Sequence, residues 1–446
     1  MKTLEQIGAE LQGYDPQALR ASDVNAFLEQ LVEPVTQTES VGIFAALDRV
    51  LAQDVISPIS VPPHDNSAMD GFAFDGAQLR TDAPLVLKVI GTAFAGKAWQ
   101  GTVGPRECVK IMTGAIMPAG LDTVVPQEFT TVAGDGVAIP ARLLQPGDNR
   151  RKLGEDLMAG RPALLKGARL TPAACGLLAS LGLTTVPVFR RLKVAYFSTG
   201  DEILSLGEPP REGAVYDSNR YTVFGLLTRL GIEVIDLGVV RDEPALLEAA
   251  FTQAAAQADA IITSGGVSVG EADFTKTMMK QLGDVAFWRI AMRPGRPMAV
   301  GRISGIKMAS SQRERVTSSY QDDSDSPPTS AILFGLPGNP VAVMVTFLAF
   351  VRPALLRLMG NTSTPPPLLK AVCAEAIRKK PGRTEYQRGT VSTAPDGVLQ
   401  VRTTGNQGSG VLSSMVQGNG LIVLHHGQGN VAVGDEVDVM MFDGVI

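Results

Sequence analysis

The sequence predicts a multidomain α/β protein organised around a central parallel sheet. Three observations carry that expectation. Residues 191–263 alternate apolar strand-like runs with helical stretches, and repeated βα units build parallel sheets with right-handed crossovers. The chain has 446 residues, enough for several domains at roughly 100–200 residues each. Two further regions are broken by Gly and Pro at close intervals, the mark of short strands and turns. The expected parts are a helical region split between 22–61 and 146–190, a small β domain at 62–145, the α/β domain at 191–363, and an all-β module at 368–446.

In chain order, Met1 to Gly13 reads as a weak amphipathic helix. Ser22 is a candidate cap for a helix carrying Phe27, Leu28 and Leu31 on one face, and Gly42 to Leu51 reads as a second helix. Residues 61–73 hold two prolines and a dense set of Asp, Asn and Ser, so they form a loop that is either functional or a plain boundary. Short strands follow at Leu85–Ile90, Cys108–Met112 and Thr123–Val125. Asn149 to Asp156 is cationic, then acidic, and Thr171-Pro172 opens a helix with Thr as cap and Pro in the first turn. Residues 304–330 are rich in Ser, Asp and Pro with little apolar content, which reads as a disordered insertion. Val341 to Val351 is an apolar helix short of the ~20 residues that a membrane span needs.

Composition removes several function classes. The net charge of -5, without a basic run, gives no nucleic-acid surface. Cys108, Cys175 and Cys373 are isolated from one another, which suits free thiols rather than a disulfide framework or a zinc ribbon. Three histidines, His64, His425 and His426, are too few for a His-based metal site built from separate segments. The first residues lack an apolar signal core, so a cytoplasmic protein with no membrane partner is expected.

The chemistry is expected where the strands end, because open parallel sheets bind ligands outside their carboxyl ends. Three successive strand ends carry Asp201-Glu202, Asp242 and Asp273. Carboxylates without nearby His or Cys suit Mg²⁺, which takes few protein oxygens and keeps phosphate or water. Each one singly also reads as a helix cap. Ser264, Gly265, Gly266 and Ser268 form a turn able to bring backbone N–H groups and hydroxyls to an oxyanion, or merely a tight strand-to-helix connection. Arg289, Arg293 and Arg296 surround a Pro-Gly turn and fork well onto oxyanions. Asn339-Pro340 opens the next helix, with Asn339 as cap. The combination fits a phosphorylated substrate, a metal and transfer chemistry at an oxyanion.

Four stretches together resemble a known family. They are residues 63–71 (Pro-His-Asp-Asn-Ser-Ala-Met-Asp-Gly), residues 198–202 (Ser-Thr-Gly-Asp-Glu), Ser264 through Asp273, and residues 335–340 (Gly-Leu-Pro-Gly-Asn-Pro). In this order they look like the molybdopterin molybdenumtransferase (MoeA) family, similar to the gephyrin E domain. The resemblance runs from about residue 22 onward. It implies a molybdopterin-binding central domain, an elongated helical domain and a β-barrel-like C-terminal domain. It implies Mg²⁺-dependent insertion of molybdate into adenylyl-molybdopterin with release of AMP, and contact with the molybdopterin adenylyltransferase. It also implies a homodimer in which the partner's β domain completes the site through residues like Asp65, Ser67, Thr113 and those of Arg151 to Asp156. Glu202, Asp242 and Asp273 match its acidic metal and substrate positions, so they are the expected catalytic and metal-binding carboxylates. Two departures stand out: the family commonly has Lys-Pro-Gly-Lys at 293–296 and often Lys at 289, and residues 304–330 are an insertion. Two rival readings are a molybdopterin adenylyltransferase, which resembles 191–360 alone, and a non-enzymatic gephyrin-like scaffold.

Overall fold

The computed structural model describes residues 2–11, 13–267, 274–304 and 330–443. Its centre is a six-stranded sheet whose elements are β1 (Lys193–Thr199), α1 (Ser218–Arg229), β2 (Glu233–Val240), α2 (Pro244–Gln257), β3 (Ala260–Ser264), α3 (Phe274–Leu282), β4 (Gly283–Arg289), β5 (Pro297–Ser304), β6 (Ser330–Leu336) and α4 (Pro340–Leu358). The strand order is β2-β1-β3-β6-β5-β4. The first four strands are parallel; α1 and α2 carry the chain from β1 to β2 and from β2 to β3, and β6 follows β5. The last two add antiparallel. The reading of three βα units holds, and the antiparallel edge extends it. A turn of seven residues between β4 and β5 is too short for a crossover, so the pair can only run antiparallel.

Helix faces follow the periodicity. Leu247, Ala250, Phe251 and Ala254 of α2 are buried on the sheet, with Phe251 edge-on to Phe197 at 5.0 Å. The apolar helix α4 spans 19 residues, and 83% of its apolar window is buried. It packs against Ala21–Leu31 and α1, which makes it a core helix of this domain. Residues 347–351 of α4 are π-helical. The expected Asn339 side-chain cap is absent: its carbonyl accepts from the Val343 amide (3.0 Å), while its side chain makes no capping bond.

The segments flanking the small β domain depart from the helical expectation. Residues 42–51 form only a short 3-10 turn, Ile43–Ala45, not a helix. Thr38–Gly42 is a strand paired with Thr185–Phe189, and Asp48 takes a left-handed φ of 62° that stops any helix there. The helix Ala21–Leu31 begins one residue before Ser22, whose hydroxyl donates to Asp23 (3.0 Å) instead of capping. Thr171 does cap Pro172–Ser180. Between these segments, residues 71–139 form a six-stranded sheet. In the C-terminal part, strands Leu369–Cys373, Glu436–Met441, Gly420–Leu424, Thr384–Thr393 and Leu399–Thr403 pair in a ring, so the sheet closes into a five-stranded barrel. Closure leaves no edge strand exposed there. The expected insertion, 304–330, lies outside the described residues except for its ends, Ser304 and Ser330, which pair across β5 and β6.

Candidate active site

A cleft of about 1250 Å³ opens at the carboxyl ends of the parallel strands. That volume exceeds what one small oxyanion needs and suits a drug-sized or larger organic ligand. Its floor is made by the turns after β1, β3 and β6. Its walls are the Arg289–Pro297 turn and Val215–Asn219. One side is closed by Arg383 and Gln407–Gly410 of the barrel. Nine expected residues line it together: Glu202, Asp242, Ser264, Gly265, Gly266, Arg289, Arg293, Arg296 and Asn339.

The turn after β3 depends on having no side chains. Gly265 has φ of +90°, and a Cβ there would lie 2.4 Å from the Thr199 carbonyl oxygen. Gly266 has φ of +65°, and its Cβ would lie 2.5 Å from Thr275 Cγ2. Only glycine adopts both the angles and the close approach. Beneath the turn, the Tyr196 hydroxyl sits 2.7 Å from Ser264 Oγ and 2.8 Å from Ser198 Oγ, and the two serines are 3.2 Å apart. Three hydroxyls in a triangle can each donate once and accept once, so the group is satisfied without water. Burial and the charge of Asp217 both push the Tyr196 hydroxyl's ionisation upward, which keeps it neutral. Tyr196 was not foreseen: its alternating position in β1 says only that it points inward.

The carboxylates lie on the turns after β1 and β2. The Asp242 amide donates to Asp201 Oδ1 (3.4 Å), and Asp242 Oδ1 accepts from the Thr275 hydroxyl (3.4 Å). Thr275 therefore touches both the glycine turn and the acidic side. Ser268 and Asp273 lie outside the described residues. Among the described residues, no group of three or more His, Cys, Asp or Glu gathers as a metal cluster. The arginine turn is closed by the Ile290 amide on the Arg296 carbonyl (2.8 Å). Arg289, Arg293 and Arg296 are all exposed to the cleft. Met292–Arg293 lies parallel to Thr384–Glu385 of the barrel, and Arg383 is held at 2.8 Å by Glu385, itself 2% exposed. The barrel's contribution was missed in the sequence, where nothing marks Arg383 or the Gln407–Gly410 loop as facing the α/β domain.

The other five expected residues do not line this cleft. Asp65, Ser67, Thr113, Arg151 and Asp156 form a second cluster around the 61–73 loop. Asn66-Ser67 pairs with Arg150-Arg151. Asp65 Oδ1 accepts from the Leu153 amide (2.8 Å), and Oδ2 lies 3.6 Å from Arg150. Thr113 donates its amide and hydroxyl to Asp70 (2.7 and 2.8 Å), and these bonds hold the Asp70 carboxyl below the usual carboxylate range. The Asp156 amide donates to the Val61 carbonyl (3.1 Å). Ser67 is 1% exposed and its hydroxyl donates to the Met69 carbonyl (2.6 Å), so in this geometry it shapes the loop. Asp70 and Arg150 belong to the cluster although sequence reading did not single them out.

Comparison with known proteins places the whole chain. Residues 19–182 match the MoeA N-terminal region (domain I and II), 195–357 a probable molybdopterin binding domain, and 370–442 the MoeA C-terminal region (domain IV). A molybdopterin molybdenumtransferase of Haemophilus influenzae is 42% identical over 420 residues, covering 94% of this chain and 97% of the relative. The chain belongs to the molybdopterin molybdenumtransferase family. A molybdopterin molybdenumtransferase of Nostoc is 35% identical over 90% of this chain and 88% of its own length. Among solved structures, a molybdopterin biosynthesis moeA protein from Pyrococcus horikoshii OT3 superposes with a TM-score of 0.74 at 26% identity, covering 95% of this chain and 100% of that one. In this member of the molybdenumtransferase family most of the cleft's lining falls within the span matched as a molybdopterin binding domain, Arg383 and Gln407–Gly410 fall in the C-terminal match, and the Asp65 cluster falls in the N-terminal match.

Proposed function

We propose that this protein inserts molybdate into adenylyl-molybdopterin and releases AMP, with Mg²⁺ bound and two subunits combined. The observation that carries the reading is the one cleft that joins acidic strand ends, a glycine turn and three cationic side chains. Gly265 and Gly266 admit a phosphate close to the backbone, and the first turn of α4 adds its positive end. Arg293 and Arg296 face the same space and suit a tetrahedral dianion. Glu202 and Asp242 line the cleft and, with Asp273, would supply the hard oxygen donors that Mg²⁺ prefers, the ion taking its remaining ligands from phosphate oxygens and water. Such an ion would neutralise charge developing on the phosphoanhydride. Ser264, held by Tyr196, fixes the base of the glycine turn, and Arg383 adds positive charge from the barrel.

The second cluster supports a shared site. Asp65, Thr113, Arg151 and Asp156 gather around the 61–73 loop, outside the lining of their own chain's cleft, where a partner's cleft would meet them. Phe44 is fully exposed, and Leu47, Ile56 and Ile59 are also exposed on the same region, a surface that a second copy would cover. Val215 and Tyr216 give the cleft an exposed apolar rim, which suits delivery of substrate by the molybdopterin adenylyltransferase. The division into 22–61 with 146–190, 62–145, 191–363 and 368–446 belongs to this proposal.

The experiment is AMP release from adenylyl-molybdopterin with purified protein, molybdate and Mg²⁺. Full activity in a protein carrying both Asp242→Ala and Asp273→Ala would sink the carboxylate roles. Arg293→Lys keeps charge but loses the fork, so it is expected to raise the KM for molybdate more than it lowers kcat.

A further inference from the structure

The first residues of the chain precede the N-terminal family match, which begins at residue 19. They are nevertheless bonded to the arginine turn. The Arg289 amide donates to the Pro16 carbonyl (2.8 Å), the Leu19 amide to the Arg289 carbonyl (3.2 Å), and the Ala291 amide to the Leu19 carbonyl (2.8 Å). These bonds use the backbone on both sides of the one arginine that ends β4 and enters the cleft. Three more contacts fasten the segment. The Leu4 amide donates to Asp284 (3.2 Å), and the Trp288 indole N–H donates to the Tyr14 hydroxyl (2.9 Å). Tyr14 stacks on Phe27 at 5.8 Å, and Phe27 meets Trp288 edge-on at 4.9 Å.

β4 is the edge of the sheet, so its outer N–H and C=O groups would otherwise face water and fray. Arginine loses much rotamer freedom when it grips an anion. A backbone that also moves adds to that ordering cost and weakens binding. We propose that residues 2–19 are a positioning strap that fixes the backbone of Arg289, so that its guanidinium meets the oxyanion in the cleft; this rests on the molybdate reading of that cleft. The strap does not touch substrate. Its effect on binding runs through Arg289, whereas Leu4, Ile7 and Leu19 also pack in the core, so KM rather than stability is the readout.

The test is a double-mutant cycle in the full chain, with molybdate as the varied substrate. A variant lacking residues 2–19 is expected to raise the KM for molybdate about tenfold (~1.4 kcal/mol) with kcat changed less than about twofold. Tyr14→Phe keeps the stack and removes the acceptor for Trp288, and is expected to shift KM the same way by about two- to threefold. In an Arg289→Ala background, neither change should raise KM further. Additive effects, an unchanged KM, or a loss confined to melting temperature and kcat would overturn the strap and leave the segment a structural cover. If the shortened chain does not fold, the Tyr14→Phe cycle decides. A wild type without AMP release would overturn the transferase reading instead. The strap would then be judged by hydrogen exchange at the Arg289 and Ala291 amides and by the melting shift with molybdate alone. Faster exchange with a smaller shift in Tyr14→Phe supports it, and identical values overturn it.

Discussion

At Gly265 a side chain has no room. The Thr199 carbonyl oxygen would stand 2.4 Å from a Cβ, and it belongs to a buried strand that cannot retreat. Gly265→Ala should therefore cost about 2 kcal/mol or more from clash and unfavourable φ, seen as a lower urea midpoint, and should abolish AMP release by spoiling the turn. A second residue-scale expectation concerns acid. The Asp438 carboxyl is held low by hydrogen bonds first from Lys370 and then from His425. A carboxylate depressed in the fold adds stability above about pH 4 and loses it as pH falls through its folded value. The stability gap between wild type and Asp438→Asn should thus be widest near neutrality and close on acidification, which equilibrium unfolding across pH would measure. Much of the cleft was legible at this scale. Glu202 and Asp242 are placed by the rule that strand ends face the ligand, Arg293 by the cationic Pro-Gly turn and Asn339 by the helix start that it opens. Tyr196 was not, because its role depends on Ser264, 68 positions away, arriving at hydrogen-bond distance.

Among the elements, β1 and β3 start from a common anchor. Arg190 grips both oxygens of Asp259 (2.8 and 2.6 Å), and the Lys193 amide adds a third bond at 2.8 Å. The Asp259 side chain is 7% exposed, whereas Arg190 is 25% exposed. Asp259→Ala leaves a partly covered guanidinium without its partner and should cost roughly 2–3 kcal/mol, less than a fully buried pair because water reaches Arg190. Calorimetry would register this as a lower melting temperature, with the KM for molybdate little changed, since the anchor lies at the end of the sheet away from the cleft. The parallel order of the sheet could be read from its βα alternation. Residues 42–51 could not, because a left-handed Asp48 and pairing to residues 185–189 override local helical pattern. The barrel wall escaped notice for a related reason: ring closure and the approach of Arg383 are long-range events with no local motif.

For the whole molecule, the two separated clusters set a sharp expectation. If two subunits share a site as proposed, Asp65→Asn should impair one face of it and Glu202→Gln the other. Mixed after joint refolding, the two inactive proteins should recover about a quarter of wild-type activity, since half of randomly paired twofold dimers hold one intact site. Recovery of nothing, with dimers confirmed by light scattering, would mean that each subunit works alone. The arginine turn also has a temporal side. Ala291 gives its amide to Leu19 and its carbonyl receives the Thr384 amide (2.9 Å), so one residue is clasped by an early and a late-emerging part of the chain. During synthesis the α/β sheet can assemble before Thr384 leaves the ribosome, but the turn cannot be clasped from both flanks until it does. A prematurely released fragment would carry the acidic strand ends without a finished cationic wall, and so would be less able to sequester scarce oxyanion unproductively.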